Sequence, residues 1–268
     1  MQTSWFSGDV YGTTTSGTRE LQDLFEGKAV FDTPKPTSLI KAFLRMSTRD
    51  NDIILDFFAG SCSIAHAVFV QNREDSWKRN FICVQIREPV RTESLAYQEG
   101  YRFVSEIGKE RIRRVASKLK KERKGQLNFH GNEDIGFRCL RLERSNYAEW
   151  PIVIERDTTQ LELRFQQAET SLVEGWKPEH MLVEILLLQG FPLDSRIRPL
   201  PEFKRNDIKE VSSEFCQHRL YVCLDAKVHA ETVAALHLRS EDILVCLDSA
   251  LSDEAKITLS DGCNLKVI

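Results

Sequence analysis

Residues 53–63 read Ile53-Ile54-Leu55-Asp56-Phe57-Phe58-Ala59-Gly60-Ser61-Cys62-Ser63. Ile53 to Phe58 is a short apolar run interrupted by one acid, the pattern of a strand covered on both faces. Ala59-Gly60-Ser61 turns the chain, and residues 62–71 read as a helix with Ile64, Ala67 and Val68 inward. A polar loop, 72–80, leads to a second strand, Phe81-Ile82-Cys83-Val84-Gln85-Ile86. Strand, helix and strand within about 35 residues is the size of a βαβ crossover, and such units belong to parallel sheets. An acid at a strand end, a glycine turn and a helix start also make a general cofactor cradle. Glycine lets backbone approach a ligand closely, and the helix start offers unpaired N–H groups. One glycine at such a junction is common for steric reasons alone, so its surroundings decide the reading.

Upstream, residues 1–33 are rich in Gly, Thr and Ser. Ser16 caps a short helix through Phe25, with Leu21, Leu24 and Phe25 on one face. Pro34-Lys35-Pro36 is a stiff extended break. Thr37 caps a helix through about Ser47, with Leu39, Ile40, Phe43 and Leu44 at helical spacing. Downstream, 95–124 is a long helical pattern with a break expected near Gly100 or Gly108, and Ile107, Ile112, Val115 and Leu119 form one stripe. The composition turns polar and glycine-containing from Lys121 to Gly131, which marks a domain boundary. Phe137 to Leu142 reads as a strand opening a second domain. That domain holds a helix from Glu179 to Gln189, stopped by Gly190 and Pro192, and strands Leu220 to Leu224 and Ile243 to Leu247 joined by a helix near 229–237.

The 268 residues are 41% hydrophobic and 29% charged, which excludes disorder as the main state. The apolar runs are too short to span a bilayer, and Met1-Gln2-Thr3-Ser4 does not open a signal peptide. Seven cysteines with no C-x-x-C pair argue against a disulfide framework or zinc site and for a reducing cytosol, hence a cytoplasmic protein. The six histidines show no ligand spacing; His66 reads as packed or hydrogen-bonded, and His130, His180, His218, His229 and His237 as surface residues. Cys83, Cys223 and Cys246 read as small core residues. Residues 1–150 carry 24 Lys and Arg against 20 acids, and 151–268 carry 13 against 20. Residues 101–125 concentrate ten cations against three acids. Such a run is either a solvated helix face, a phosphate-facing surface, or a seam pairing with the acidic second half. Arg111, Arg114 and Lys118 fall near one another at helical spacing.

Asp56 to Ser63 resembles the D-x-F-x-G-S-G-T signature of S-adenosylmethionine-dependent DNA amino-methyltransferases. It is most similar to the modification (Mod) subunit of type III restriction–modification systems, which methylates adenine N6. Thr15 to Leu21 looks like the segment before that motif, and Phe31-Asp32 with Pro34-Lys35-Pro36 and Leu39-Ile40-Lys41 is similar to the family's K-P-x-x-L-I motif. Val84-Gln85 with Glu88-Pro89, Glu106 to Arg114, Glu184 to Leu187 and Tyr221 to Asp225 extend the likeness along the chain. The resemblance implies an α/β fold: an incomplete Rossmann-like methyltransferase sheet with a second, smaller α/β domain. It implies a lead-in segment at 1–33, an S-adenosylmethionine-binding portion at 34–125 and a C-terminal α/β domain at 132–268.

The same resemblance assigns roles. Asp56 accepts from the ammonium of the cofactor's methionine moiety. Phe58, Ala59 and Gly60 line that end of the pocket, Lys35, Pro36 and Leu39 wall it, and Gln85 or Glu88 meets the ribose hydroxyls. By residue type alone, Phe58 reads equally as core and Glu88 as a turn residue. The family's catalytic D-P-P-Y motif is absent; its groups accept from the adenine amino group and stack on the extruded base. The chain therefore resembles the cofactor-binding C-terminal part of a Mod subunit, without catalytic motif or target-recognition region, and is expected to be inactive alone. The alternative is a non-catalytic remnant or scaffold that binds a partner subunit or DNA. The implied partners are double-stranded DNA, the missing N-terminal half, a second Mod subunit and the restriction (Res) subunit, with no membrane. Cys62 stands at a family glycine, and Ser76-Trp77 at the usual Gly-Gly. A positive φ at Cys62 would cost about 1–2 kcal/mol, and its side chain is expected to crowd the cofactor.

Overall fold

The computed structural model describes residues 6–124, 134–149 and 171–268. The stretch 125–131, on which the expected domain boundary centres, and His130 lie outside the described residues. The chain is a mixed α/β protein that divides into two compact units, Met1–Cys139 and Leu140–Ile268.

The N-terminal unit begins with α1 (Gly8–Tyr11) and α2 (Thr14–Leu24). Thr13, not Ser16, caps α2. The Thr13 hydroxyl accepts from the Ser16 N–H, and Ser16 Oγ accepts from the Thr13 N–H, a reciprocal box that starts the helix earlier than expected. Gly17 lets α2 lie directly on the strap that follows: a Cβ there would sit 2.3 Å from the Pro34 carbonyl oxygen. The strap ends in α3 (Thr37–Ser47), whose cap position is Pro36, one residue before the expected Thr37.

β1 (Ile53–Asp56) runs parallel to β2 (Asn80–Cys83), in register from Ile53 with Asn80 to Asp56 with Cys83. α4 (Ser63–Asp75) makes the crossover. Ile54 and Phe81 turn inward, against Leu44 of α3 and Ala67 and Val68 of α4. The other face is not covered among the described residues: Ile53, Leu55 and Ile82 stand in solvent, as do Phe57, Val84 and Ile86 just beyond the strands. The expectation of a strand buried on both faces thus holds for one face, because α3 and α4 pack on the same side.

α5 (Leu95–Gln98) and α6 (Val104–Lys124) are separated at Gly100, whose φ is 93°. α6 runs through Gly108 unbroken and buries the Ile107, Ile112, Val115 and Leu119 stripe. The strand expected over Phe137 to Leu142 does not form. Phe137 packs partly against the α4–α6 cluster, and Leu142 is fully exposed with no ladder partner.

The C-terminal unit contains α7 (Pro178–Leu188), α8 (Ala230–Ala235) and α9 (Asp253–Gly262) around one five-stranded sheet. Its strands are β3 (Arg196–Pro199), β4 (Ile208–Ser212), β5 (Leu220–Cys223), β6 (Ile243–Cys246) and β7 (Asn264–Val267), in that spatial order. β3, β4 and β5 pair antiparallel; β5, β6 and β7 pair parallel. α7 covers one face through Met181, Leu182, Ile185 and Leu186, against Val211, Val222 and Val245. Leu259 of α9 and Val233 of α8 join Tyr221, Leu244 and Cys246 on the other. β5 and β6 are buried along their whole length, as their apolar runs require. His218 is not the surface residue expected: its ring packs edge-on to Phe191, and its Nε2 is buried.

Candidate cofactor site

The carboxyl ends of β1 and β2 meet at a tight turn. The Asp56 carboxylate accepts from the Phe58 N–H at 3.1 Å, which ends the strand. The Ala59 N–H reaches the Val84 carbonyl at 3.0 Å, so the turn folds back over β2. Gly60 has φ 50°, and a Cβ there would meet Phe31 Cζ of the strap at 3.3 Å. Gln85 Oε1 accepts from the Gly60 N–H at 2.7 Å, and its Nε2 lies 3.5 Å from Glu88 Oε2. These bonds gather Asp56, Gly60, Gln85 and Glu88. They do not include Lys35, Pro36 or Leu39, which lie on the strap and on α3; Lys35 is exposed, Pro36 buried and Leu39 half-buried. Ala59 is buried, whereas the Phe58 ring is 86% exposed, so Phe58 is not core.

Cys62 adopts φ 55° and ψ 43°, the left-handed conformation that its place at a family glycine implied. Its side chain does not crowd the turn from outside. It is buried in the α4–α6 cluster, and a Cβ at Gly108 would come within 2.6 Å of its sulfur. The hydrogen bond to Cys62 and burial push the Cys83 thiol up, while the same bond holds the Cys62 thiol below its ordinary value. Ser76, where the family has a second glycine, is also left-handed, with φ 60°. Both positions keep the glycine backbone without glycine. Ser76 is exposed and loses little by truncation, so Ser76→Gly should stabilise the protein by about 0.5–1 kcal/mol, read as a raised thermal midpoint. An unchanged or lower midpoint would show that the left-handed turn carries no strain.

Beneath the turn lies a network that sequence reasoning did not find. Arg111 of α6 is fully buried, and its Nη1 donates to Ser63 Oγ at 2.7 Å and to Ser61 Oγ at 3.1 Å. Its Nη2 lies 3.5 Å from Glu20 Oε1. Glu20 of α2 also accepts from His66 Nδ1 at 3.0 Å and from the Thr37 N–H at 3.1 Å. The short contact to a carboxylate puts the His66 proton on Nδ1. The Arg111 nitrogens at 3.2 and 3.4 Å from that atom then lie beside it without donating to it. Burial pushes the Glu20 carboxyl up, but His66 and the Thr37 N–H more than offset this and hold it at about 2. Burial, with the Arg111 cation alongside, pushes the His66 imidazole down and keeps it neutral. One carboxylate thus ties α2, the start of α3, α4 and α6 under the turn.

The same geometry takes Arg111 and Arg114 out of the phosphate-facing reading of α6. Arg111 is inside the unit. Arg114 pairs with Glu110 at 2.8 Å and Glu26 at 3.1 Å, donates to the Leu24 carbonyl and stacks over Phe25. Lys118, Lys120 and Lys121 remain exposed. The helix cannot present Arg111 and Arg114 to a ligand because its apolar stripe turns them inward. Among the described residues no group of three or more His, Cys, Asp or Glu could hold a metal ion, and no helix is long and apolar enough to cross a membrane.

Residues 2–98 match the family model described as DNA methylase. Over 134 residues, half of this chain, the sequence is 40% identical to the type III restriction-modification enzyme StyLTI Mod subunit of Salmonella typhimurium, of which it covers 20%. It is 42% identical over 114 residues, 42% of the chain, to the EcoPI Mod subunit of Escherichia phage P1, covering 17% of that protein. It is 34% identical over 116 residues, 43% of the chain, to the type II methyltransferase M.KpnI of Klebsiella pneumoniae, covering 27% of it. The chain spans about a fifth of the length of the Mod subunits it matches. A parallel βαβ unit with a glycine turn at its carboxyl end, a DNA methylase match over residues 2–98 and Mod relatives over half the chain make this chain similar to DNA methylases, type III Mod subunits among them.

Proposed function

We propose that this chain is the cofactor-binding part of an S-adenosylmethionine-dependent adenine-N6 DNA methyltransferase of a type III restriction–modification system. The carrying observation is the turn at residues 56–60, seated where parallel α/β units bind ligands, outside the carboxyl ends of the strands. The residues fit the cofactor. The Asp56 carboxylate spends one oxygen on the Phe58 N–H and has no other hydrogen bond among the described residues, which leaves Oδ2 for an ammonium. Gly60 is close enough to the strap that a side chain would touch Phe31. Gln85 is occupied by the Gly60 N–H, so it holds the turn, and exposed Glu88 is the carboxylate placed to meet ribose hydroxyls. Phe58 and Ala59 line the methionine end, and Lys35, Pro36 and Leu39 wall the pocket. S-Adenosylmethionine, when bound, supplies the electrophilic methyl group.

In this reading residues 1–33 are a lead-in, 34–125 the cofactor portion and 132–268 a C-terminal α/β domain. β1 and β2 belong to a larger Rossmann-like sheet. The D-P-P-Y motif and target recognition come from another part of the enzyme, so this chain alone is inactive. Double-stranded DNA, a second Mod subunit and the Res subunit are partners of the whole cytoplasmic enzyme.

Calorimetry with S-adenosylmethionine tests the site. Asp56→Ala removes an acceptor for a charged donor and should weaken binding by about 1.5–3 kcal/mol. Equal binding by parent and variant would remove Asp56 from the site, and no binding by the parent would favour a scaffold with a vestigial pocket. Labelled S-adenosylmethionine with mixed-sequence duplex should leave adenine unlabelled; label above background would refute the need for a second part.

A further inference from the structure

Two of the free cysteines meet under the cofactor turn. Cys62 ends the turn and caps α4, and Cys83 ends β2, in register with Asp56 of β1. Their side chains pack in one cluster, and the Cys83 thiol donates to the Cys62 sulfur. Gly108 of α6 leaves the space that the Cys62 sulfur fills. Cys62 is buried and Cys83 half-buried. The bond from Cys83 holds the Cys62 thiol below its ordinary value against burial and the Asp56 charge, and the Arg111 cation adds to it. The thiolate is the form of cysteine that reacts. Cys83 is pushed up chiefly by the same bond. One sulfur is therefore the nucleophile and its neighbour the thiol held ready to resolve it. The C-terminal unit supplies a contrast. Cys223 and Cys246 face each other in register across β5 and β6, but both are 1% exposed in a sheet covered by helices on both faces.

We propose that Cys62 and Cys83 form a peroxide-sensitive modification site, whose disulfide pulls the cofactor turn toward β2 and loosens its hold on S-adenosylmethionine. The Cys62 sulfur attacks one oxygen of hydrogen peroxide. The O–O bond breaks, and the departing hydroxide takes the Cys62 proton and leaves as water. Cys62 is then a sulfenic acid, and the thiolate that restrained the Cys83 proton is gone. The Cys83 sulfur attacks the Cys62 sulfur; the S–S bond forms, the S–O bond breaks, and the Cys83 proton leaves with that hydroxyl as a second water. Two thiols lose two electrons, and one peroxide is reduced to two waters. A disulfide holds its sulfurs at about 2.05 Å, closer than separate thiols approach. Cys62 must therefore shift toward β2. The Cys62 N–H is bonded to the Ala59 carbonyl at 2.6 Å, and Gly60 lies between them, so the turn shifts too and strains the Gly60 bond to Gln85. The loss of cofactor affinity rests on the functional reading above; the formation of the bond does not.

The test treats the purified full chain with hydrogen peroxide, alkylates the remaining thiols and maps the peptides by mass spectrometry. A Cys62–Cys83 cross-link should form in the native chain and be removed by dithiothreitol, while Cys223 and Cys246 stay thiols. In calorimetry the affinity for S-adenosylmethionine should fall by about tenfold or more on oxidation and return on reduction, because a binding constellation tolerates displacement of only about 0.5 Å. Cys83→Ala removes the resolving sulfur and no residue of the turn, so it should bind as the parent does and lose nothing to peroxide. Cys62 and Cys83 that remain thiols while the exposed Cys139 is oxidised overturn the proposal. So does a Cys223–Cys246 bond that forms as readily, which marks unfolding rather than a site. Peroxide-sensitive binding in Cys83→Ala, or a cross-linked parent that binds as tightly as the reduced one, also overturns it. A cross-link that forms in a chain whose reduced form binds no S-adenosylmethionine would instead sink the functional reading and leave the dithiol site standing.

Discussion

Arg111→Ala should destabilise the N-terminal unit by about 3–5 kcal/mol, the cost of breaking a buried ion pair from one side. The guanidinium is fully buried and serves Ser61, Ser63 and Glu20 together. Removing it takes the cation from beside a carboxylate that burial already disfavours and leaves two hydroxyls without their donor. Hydrogen exchange of the α4 and α6 amides reports this unit; a loss below about 1 kcal/mol would mean that water replaces the arginine without consequence. Arg111→Lys should recover only part of the loss, because an ammonium cannot span Ser61 and Ser63 in one plane. The network also sets an acid limit. Glu20 is held at about 2 against an ordinary 4.5, so its stabilisation is complete above pH 4.5 and fades as pH falls toward 2. His66, pushed below its ordinary 6.5, adds a loss that begins as pH falls below that value. In Glu20→Gln the acid limb below pH 4.5 should flatten.

Gly17→Ala should cost about 1–3 kcal/mol or more, although Gly17 is an ordinary helical residue by conformation. The added methyl would lie 2.3 Å from the Pro34 carbonyl oxygen and 2.9 Å from the Pro36 nitrogen. Both are backbone atoms of a proline-stiffened strap and cannot swing aside. The strap carries Phe31, which reaches Gly60, so its displacement should also weaken S-adenosylmethionine binding in calorimetry. A variant with parental melting temperature would show that α2 and the strap can separate freely.

The parts of this molecule that were legible in the sequence are those decided over a few neighbouring residues. The βαβ unit, a break near Gly100 or Gly108 and the stripe on α6 follow from runs and spacings. The left-handed turn at Cys62 followed from its match to a family glycine. β3 and β4 escaped notice because their chemistry is not local. Arg196-Ile197-Arg198-Pro199 is an exposed edge strand, and the buried Glu210 of β4 makes sense only once Arg198, Arg219 and Tyr221 converge on it. The Glu20–Arg111 pair was unreadable for the same reason, so a solvated face, a phosphate-facing surface and an internal seam all stayed open for α6. Phe137 to Leu142 had strand composition without a strand to pair with. Gln85 or Glu88 was the expected ribose ligand, and nothing in the sequence reveals that Gln85 also meets the Gly60 N–H.

Glu20 and Arg111 are 91 residues apart. At about 5–20 residues per second on the ribosome, the carboxylate emerges roughly 5–20 s before the cation that seats beside it. In the last part of that interval, once Gln85 has emerged, the glycine turn can form while the hydroxyls below it have no donor. Closure of the N-terminal unit is therefore tied to the release of α6, and a nascent chain arrested before α6 should be cut more readily by protease within α4, whose inner face α6 covers in the finished protein.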